Sequence, residues 1–265
     1  DLERETGALP AYVARYVEAF GDRALAGLRL GVYQHSSVAR DILVTVMQGL
    51  GAETVALGRS DVFIPVDTEA LDPQTQGLLA GWCADHGLDA VLSTDGDADR
   101  PMLADRTGAV MPGDVLGALS ARALGARVIC TPVSSNSMIA RMPDFDAVHL
   151  TRIGSPFVIA AMESVRAETP GARVAGYEAN GGFLLGFEAE GPAGPLAPLM
   201  TRDCLLPIVA PLVAARAAGQ PLDALVTDLP ARFTAADRLQ GIAPDRSAAL
   251  LATLSGDASA RAAFF

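Results

Sequence analysis

Three aspartates, separated by single small residues and followed at once by an arginine, form the chemically most distinctive stretch of the sequence. The stretch is Asp95–Arg100, with the order Asp-Gly-Asp-Ala-Asp-Arg, and it follows the apolar run Leu88–Leu92. A short apolar run of this kind predicts a buried strand. The acidic stretch is therefore expected to be a loop at the carboxyl end of a strand, where open α/β sheets usually bind their ligands.

The carboxylates of Asp95, Asp97 and Asp99 suit a hard divalent cation. Mg²⁺ and Ca²⁺ prefer oxygen ligands, and small spacers allow the backbone to curl round an ion. An EF-hand calcium loop is excluded, because it needs Gly and a bidentate Glu where this chain has Arg100 and Arg106. The remaining alternative is a solvated acidic turn, in which three close carboxylates would repel one another.

Arg100 indicates what the site binds. A cation directly beside a metal site would weaken metal binding, unless the ligand itself carries negative charge, as a phosphate does. A metal and an arginine that converge on one phosphoryl group are parts that phosphoryl transfer needs. The residues Asp95–Arg100 are therefore a candidate phosphoryl-transfer site.

The acidic motif resembles the Mg²⁺ loop of the α-D-phosphohexomutases, the phosphomannomutase and phosphoglucomutase group. The usual form in that family is Asp-Gly-Asp-Gly-Asp-Arg, from which Ala98 is a departure. The resemblance implies that Asp95, Asp97 and Asp99 hold Mg²⁺. It also implies that Arg100 is a catalytic residue that faces the transferring phosphoryl group.

Two further motifs resemble the same family. Thr151–Gly154, with the order Thr-Arg-Ile-Gly, is similar to its Thr-Lys-Val-Gly motif, and Tyr177–Gly181, with the order Tyr-Glu-Ala-Asn-Gly, is similar to its sugar-binding loop Gly-Glu-x-Ser-Gly. The resemblance implies that Glu178 and Asn180 bind sugar hydroxyls and that Arg152 contacts the substrate phosphate or the sugar. Glu and Asn side chains suit hydroxyl groups because they accept and donate in fixed directions. Considered alone, the same stretch is also typical of a hairpin turn.

The alternation of predicted strands and helices favours an α/β protein. Strands are expected at Leu28–Tyr33, Glu53–Leu57 and Leu88–Leu92, and a second unit of similar pattern begins near Arg127. We therefore expect two consecutive α/β domains with mainly parallel mixed sheets flanked by helices, and the resemblance implies the phosphoglucomutase type. A short strand is also expected at Ala109–Met111, and a Gly- and Pro-rich loop at residues 188–198.

The resemblance also implies a division of the chain. Residues 1–126 correspond to family domain 2 with the Mg²⁺ loop, residues 127–230 to domain 3 with the sugar-binding loop, and residues 231–265 to a partial start of domain 4. The family's phosphoserine motif, Thr-x-Ser-His-Asn-Pro, and its domain 4 loop, Arg-x-Ser-Gly-Thr, have no match in the sequence. We therefore expect the serine to lie outside this chain, and the chain alone to be inactive. His35–Ser37 is expected to be a loop and helix cap and not a substitute nucleophile.

The composition narrows the possible partners. A net charge of −11 disfavours nucleic acid and anionic membranes. All basic residues are arginine, which excludes Schiff-base chemistry and a P-loop lysine. No apolar run has the length of a membrane span. Cys83, Cys130 and Cys204 are scattered in apolar settings, so buried free thiols in a reducing, cytoplasmic compartment are expected.

The function implied by the resemblance is the Mg²⁺-dependent interconversion of hexose 1-phosphate and hexose 6-phosphate. In this family a phosphoserine enzyme acts through a hexose 1,6-bisphosphate intermediate. Mannose, glucose and amino-sugar phosphates are all compatible with these motifs. Two alternatives remain: a metal-dependent sugar phosphatase without a phosphoserine, and a non-catalytic fragment that binds a sugar phosphate and Mg²⁺. Hydrolysis of glucose 1-phosphate would select the first alternative, and binding without turnover the second.

Overall fold

Two mixed β-sheets flanked by helices form the framework of the computed structural model, which describes residues 6–235 and 241–264. The chain divides into two compact units, of which the first ends at Thr234 and the second begins at Ala235. Both sheets lie in the first unit, and the second contains only helices among its described residues. The α/β architecture predicted from the sequence is confirmed.

The first sheet carries the acidic loop. Its strands are β1 (Arg29–Tyr33), β2 (Glu53–Leu57), β3 (Ala90–Thr94) and β4 (Pro101–Asp105), and its helices are α1 (Ala8–Phe20), α2 (Arg40–Gly49) and α3 (Pro73–His86). The strand order is β2-β1-β3-β4, with β1 parallel to β2 and β3, and β4 antiparallel to β3. All of β3 is buried, including the polar Ser93 and Thr94, which explains why Ala90–Leu92 appears in the sequence as an apolar run without alternation.

The second sheet carries the motif around Glu178. Its strands are β5 (Val128–Pro132), β6 (Ala147–Thr151), β7 (Val174–Tyr177), β8 (Phe183–Leu185) and β11 (Leu199–Asp203). Between β8 and β11, β9 (Ala189–Glu190) and β10 (Pro195–Leu196) form a separate hairpin. The order is β11-β8-β7-β5-β6, with β5 parallel to β6 and β7. Strands β8 and β11 extend the sheet in antiparallel fashion.

The remaining helices pack on one of the two sheets or belong to the second unit. They are α4 (Gly113–Ala123), α5 (Ser155–Glu168), α6 (Leu206–Ala217), α7 (Pro244–Gly256) and α8 (Ala258–Phe264), with short 3₁₀ helices at Ser137–Arg141 and Leu222–Val226. Asn136 caps the first 3₁₀ helix, because its side chain accepts a hydrogen bond from the backbone N–H of Met138 at 2.9 Å. Among the described residues, no helix combines the length and the apolar character needed to cross a membrane.

The two sheets repeat one topology. In each, the third parallel strand (β3 or β7) ends in a loop that returns as an antiparallel partner (β4 or β8). Asp95–Arg100 forms the first of these loops, and Glu178–Gly182 forms the second. The two predicted motifs therefore occupy equivalent places at the carboxyl ends of parallel strands.

A continuous hydrophobic core joins the sheets. It contains Leu30 and Leu92 from the first sheet and Ile129 and Phe183 from the second. Helix α4 packs against α6 within this core. Separate apolar clusters cover the outer faces, under α3 on the first sheet and under α5 on the second. Since the core is continuous across residue 126, the division of the chain there remains a prediction from the resemblance.

The structure differs from the predicted elements in two places. The expected strand at Ala109–Met111 makes only an isolated bridge between Val110 and Ala104. The segment predicted as a loop at residues 188–198 contains the β9–β10 hairpin, and the β11 strand that follows it was not predicted. The sequence of β11 shows no alternation of apolar and polar residues that would predict a strand. Its pairing with β8 is what defines it as one.

The three cysteines are free and buried, as predicted. Burial raises the pKa of the Cys130 thiol to about 11, so it is protonated at neutral pH. A buried neutral thiol behaves as a small apolar side chain. Cys130 is therefore a core residue of the second sheet.

Candidate functional site

The acidic loop brings three carboxylates together. The ligand oxygens of Asp95, Asp97 and Asp99 lie within 4.8 Å of one another, with Asp95 buried, Asp97 exposed and Asp99 between them in exposure. Asp95 also closes the loop, because its Oδ1 accepts hydrogen bonds from the backbone N–H groups of Asp99 and Arg100, both at 3.2 Å. The predicted triad is thus assembled by a loop whose first carboxylate holds the backbone in place.

The electrostatics of the loop favour a bound cation. Burial raises the pKa of Asp95, and the charges of Asp99 and Asp97 act in the same direction, while the hydrogen bond from the backbone of Arg100 opposes them. Oδ1 of Asp99 is buried and accepts no hydrogen bond from any described residue. A divalent cation would relieve this repulsion and provide a partner for that oxygen, so the residues fit a hard cation such as Mg²⁺.

Ala98 adopts a backbone conformation that explains the glycine in the family motif. Its φ is 64°, in the left-handed region. This conformation costs a residue with a Cβ about 1–2 kcal/mol. The departure from the usual Gly therefore places local strain between Asp97 and Asp99, two of the three carboxylates of the acidic loop.

Replacing Ala98 with glycine is expected to stabilise the chain. Relief of the left-handed strain outweighs the greater entropy of glycine in the unfolded chain, leaving a gain of about 0.5–1 kcal/mol. Urea unfolding of both proteins checks this, with the increase in midpoint as the readout. Gly77→Ala makes the opposite exchange at an open position within α3 and serves as a control. An unfolding midpoint of Ala98→Gly at or below that of the wild type would contradict the strain argument.

The His35–Ser37 segment makes hydrogen bonds to Thr94, the residue that precedes the acidic loop. The His35 Nε2 lies 2.8 Å from the Thr94 carbonyl oxygen and donates to it, and Ser37 Oγ shares a hydrogen bond with Thr94 Oγ1 at 2.6 Å. Burial lowers the pKa of His35, which favours the neutral ring. The segment is the predicted loop, and Ser37 Oγ accepts a hydrogen bond from the backbone N–H of Ala39 at 3.0 Å, directly before α2. Ala39 itself, at the N-cap position, makes no side-chain hydrogen bond.

Arg100 lies against the carboxylates that precede it. Its Nε is 3.6 Å from Asp95 Oδ2 and 3.7 Å from Asp99 Oδ1, and its Nη1 is 3.9 Å from Glu69 Oε2. These separations are longer than hydrogen bonds, and Nε has no hydrogen-bond partner among the described residues. The guanidinium is therefore held near the acidic loop while keeping donors available for a ligand.

The second loop presents Glu178 towards the same region. Its backbone forms a tight turn, in which Gly181 N–H donates to Glu178 O at 2.9 Å and Gly182 N–H donates to Asn180 Oδ1 at 3.0 Å. Burial raises the pKa of Glu178, while Arg202 and Arg100 oppose the shift. Oε2 of Glu178 is buried and has no hydrogen-bond partner among the described residues. A ligand hydroxyl would satisfy this oxygen.

Residues from both loops line one cavity of about 370 Å³. Among them are Arg100 from the first loop, Glu178 and Asn180 from the second, and the side chains of Glu69 and Arg202. A larger hollow of about 760 Å³ lies between the end of α5 and residues 186–190. We place the candidate site in the smaller cavity, because Arg100 of the acidic loop and Glu178 of the second loop line it together, although the three aspartates are not part of its lining.

Family models match most of the chain. The model for phosphoglucomutase/phosphomannomutase alpha/beta/alpha domain II matches residues 11–108, and the model for domain III of the same proteins matches residues 112–233. The chain belongs to the phosphoglucomutase/phosphomannomutase family. The resemblance drawn from the three motifs is therefore confirmed.

Curated and solved proteins agree with the family models. A phosphomannomutase of Sinorhizobium fredii is 45% identical over 252 residues, which is 95% of this chain and 53% of that protein. A phosphoglucomutase/phosphomannomutase family structure from Burkholderia thailandensis has a TM-score of 0.65 at 20% identity, over 84% of this chain and 46% of that one. An Aspergillus fumigatus N-acetylphosphoglucosamine mutase, solved in complex with GlcNAc-6P and magnesium, has a TM-score of 0.54 at 14% identity. The match covers 92% of this chain and 61% of that one. The chain thus spans about half the length of the curated relative.

The family motifs did not identify every residue of the cavity. Glu69 precedes α3 and Arg202 is the penultimate residue of β11, and neither belongs to one of the three family motifs. Asp203 Oδ1 accepts hydrogen bonds from the N–H groups of Leu205 and Leu206, which is a helix-start pattern that the sequence displays. This pattern predicts where α6 begins, but the position of Arg202 depends on the pairing of β11 with β8.

Arg152 lies beside the cavity and not in its lining. Its guanidinium carbon is 5.7 Å from the centre of the Phe157 ring, and its side chain is exposed. The next residues of the same family motif, Ile153 and Gly154, do line the cavity. The role expected for Arg152 in substrate binding stays a prediction, and it requires the side chain to turn from Phe157 towards the ligand.

Proposed function

We propose that this chain supplies the metal-binding and sugar-binding parts of a phosphohexomutase. The protein would interconvert hexose 1-phosphate and hexose 6-phosphate by way of a phosphoserine and a hexose 1,6-bisphosphate. The observation that carries the proposal is the cavity bordered by Arg100 of the acidic loop and by Glu178 of the loop Glu178–Gly182, the sugar loop. Its volume of about 370 Å³ lies in the lower range of ligand pockets and suits a small phosphorylated sugar.

The acidic loop would handle the phosphoryl end of the substrate. Asp95, Asp97 and Asp99 would hold Mg²⁺, which supplies positive charge that neutralises phosphate oxygens. Arg100, fixed beside Asp95 and Asp99, would donate to the same phosphoryl group. Since the guanidinium is charged and preorganised, it stabilises the negative charge that develops during transfer without reorganising.

The sugar loop would handle the hydroxyls. Glu178 offers a buried oxygen without a hydrogen-bond partner among the described residues, and Asn180 has an NH₂ group free of the Gly182 contact that its Oδ1 makes. Arg152 would contact the phosphate or the sugar from the adjacent loop. The Glu178 carboxylate would accept hydrogen bonds from the sugar, and the Asn180 amide would donate them. Because both lie on a turn between two strands, they can bind the sugar in both of the orientations that a mutase requires.

The relatives support this assignment by their own names and ligands. The S. fredii relative is a phosphomannomutase, and the A. fumigatus neighbour was solved with a hexose phosphate and magnesium. The buried free thiols suit the cytoplasm, where enzymes of this class and their substrates would meet.

Calorimetric titration tests the proposal directly. The 265-residue chain is expected to bind Mg²⁺, and then to bind glucose 1-phosphate or mannose 1-phosphate more tightly with Mg²⁺ present. Neutral glucose should bind far more weakly, because it cannot engage Arg100 or the metal. Absence of sugar-phosphate binding at saturating Mg²⁺ would contradict the proposal. Release of inorganic phosphate from the bound sugar would instead favour the phosphatase alternative.

Replacing Glu178 with glutamine is expected to weaken glucose 1-phosphate binding by about tenfold. A hydrogen bond to a charged acceptor contributes about 1.5–3 kcal/mol, and the amide retains only part of it. Mg²⁺ affinity should stay within about twofold, because Glu178 belongs to the other loop. Calorimetry measures both values, with exposed Glu163→Gln on α5 as the control. An unchanged sugar-phosphate affinity would remove Glu178 from the site.

A further inference from the structure

Arg202 connects the acidic loop to the sugar loop. Its guanidinium forms an ion pair with Asp99 Oδ2 through Nη2, and its Nη1 lies 3.8 Å from Glu178 Oε2. The side chain is 30% exposed and lines the cavity that both loops border. Arg202 belongs to none of the three family motifs, yet it contacts a predicted ligand of the metal and a predicted ligand of the sugar.

The protein holds Arg202 in this place from two sides. The following residue, Asp203, is buried and accepts hydrogen bonds from the hydroxyls of Tyr12 at 2.6 Å and Tyr16 at 2.5 Å. In the sugar loop, a Cβ added to Gly182 would lie 2.9 Å from Cδ of Arg202, so the arginine stem lies closely against that loop. A long charged side chain fixed in this way loses little further entropy when it binds a ligand.

Arg202 and a divalent cation at the acidic loop would compete for the carboxylate of Asp99. Arg202 pairs with Oδ2, and Arg100 approaches Oδ1. A cation bound by Asp99 draws on the same negative charge and also repels the guanidinium, so each partner weakens the other. Cation binding at the acidic loop therefore loosens the pair between Arg202 and Asp99.

A loosened Arg202 faces the cavity. Its planar fork of donors matches a phosphate group, which can accept two parallel hydrogen bonds from a guanidinium. Arg100 borders the same cavity, so two arginines would face one anionic group. The stem packing against Gly182 allows the guanidinium to turn while its base remains fixed.

We propose that Arg202 couples the two binding events: it competes with the divalent cation for Asp99 and, once displaced, binds the phosphate of the sugar phosphate. This proposal rests on the proposed function, because that function supplies the cation and the anionic ligand. It assigns to Arg202 a binding role that none of the family motifs identifies. It also predicts opposite effects of one substitution on two ligands, which a merely structural residue would not produce.

The test compares Arg202→Met with the wild type by calorimetry on the full 265-residue chain. Mg²⁺ alone should bind about threefold more tightly to the variant, because a half-buried competing pair contributes about 0.5–1 kcal/mol. Glucose 1-phosphate at saturating Mg²⁺ should bind about tenfold more weakly, because a charged donor is lost. Arg106→Met is the matched control. Arg106 forms an ion pair with Asp223 at 3.4 Å, and it follows the end of β4 that lies away from the acidic loop. It should change neither affinity.

Arg202→Lys separates charge from shape. It should leave Mg²⁺ affinity near that of the wild type but still weaken glucose 1-phosphate binding, because lysine lacks the planar fork. Circular dichroism and thermal unfolding establish that each variant folds. If the Met variant does not fold, undiminished glucose 1-phosphate affinity in the Lys variant overturns the proposal.

The outcomes also separate this proposal from the proposed function. If the wild type binds glucose 1-phosphate but Arg202→Met leaves Mg²⁺ affinity unchanged or lowers it, the coupling by Arg202 is wrong and the function stands. If the wild type binds Mg²⁺ but no sugar phosphate, the proposed function fails, and the phosphate role of Arg202 fails with it. Tighter Mg²⁺ binding to the Met variant would still establish the competition at Asp99.

Discussion

Replacing Asp97 with asparagine is expected to weaken Mg²⁺ binding by about 100-fold while leaving the unfolding midpoint of the chain unchanged or slightly raised. Altering groups behind a metal ligand typically costs 10–100-fold in affinity, so the loss of a direct ligand charge belongs at the upper end of that range. Asp97 is the exposed member of the triad. Since Asp95 and not Asp97 holds the loop through hydrogen bonds to Asp99 and Arg100, the substitution removes a ligand without removing the support of the loop.

The unchanged or raised unfolding midpoint expected for Asp97→Asn follows from charge repulsion in the metal-free protein. Three carboxylates within 4.8 Å repel one another without a cation, so removing one charge relieves the metal-free protein. Asp85→Asn, at an exposed position near the end of α3, removes an equal charge far from the loop and is the control. Calorimetry gives the Mg²⁺ affinity, and urea unfolding without Mg²⁺ gives the stability. Equal Mg²⁺ affinity in Asp97→Asn and the wild type would show that the acidic loop is not the metal site.

The acidic loop and the sugar loop were predictable from the sequence because each is a local arrangement. In each case an apolar strand, a run of small and polar residues and a returning strand are consecutive in the chain, so the pattern specifies the turn and the end of the sheet where it lies. The roles of Asp95, Asp97, Asp99 and Glu178 came from the resemblance to the family. The structure adds that the two loops border one cavity.

The remaining features of the site depend on contacts between distant parts of the chain. Arg202 approaches Asp99 and Glu178 only because β11 pairs with β8 at the edge of the second sheet. No periodic pattern in residues 199–203 predicts that pairing. Arg202 is also placed by Asp203 and its tyrosine partners on α1, which lie near the other end of the chain. Such placement follows from packing and could not be predicted from local sequence.

Two glycines of α4 allow this helix to lie directly against the sugar loop and its preceding strand. A Cβ on Gly113, the first residue of α4, would lie 2.4 Å from the carbonyl carbon of Asn180 and 2.4 Å from the backbone nitrogen of Gly181. A Cβ on Gly117, one turn later, would lie 2.5 Å from the Tyr177 ring. The start of α4 thus lies directly against the sugar loop, and it follows the first sheet closely in the chain. Only glycine permits this approach.

Replacing Gly113 with alanine is expected to destabilise the chain by about 3 kcal/mol and to weaken glucose 1-phosphate binding. Overpacking usually costs about 1–3 kcal/mol, and the upper end applies because the atoms met by the new methyl group belong to the backbone and cannot rotate away. The sugar loop must therefore shift, which moves Glu178 and Asn180 relative to Arg100. Mg²⁺ affinity should hardly change, because the acidic loop makes its own hydrogen bonds.

Gly77→Ala provides the matched control for Gly113→Ala. A Cβ at Gly77 meets no described atom within 4 Å, and the residue lies inside α3, so alanine should stabilise the helix by about 0.5–1 kcal/mol. Urea unfolding of the three proteins gives the stabilities, and calorimetry gives both affinities. If Gly113→Ala were as stable as the wild type and bound glucose 1-phosphate equally well, the close contact between α4 and the sugar loop would not set the geometry of the site. A loss confined to sugar-phosphate binding would show that the loop moves while the core, centred on α4 and α6, absorbs the methyl group.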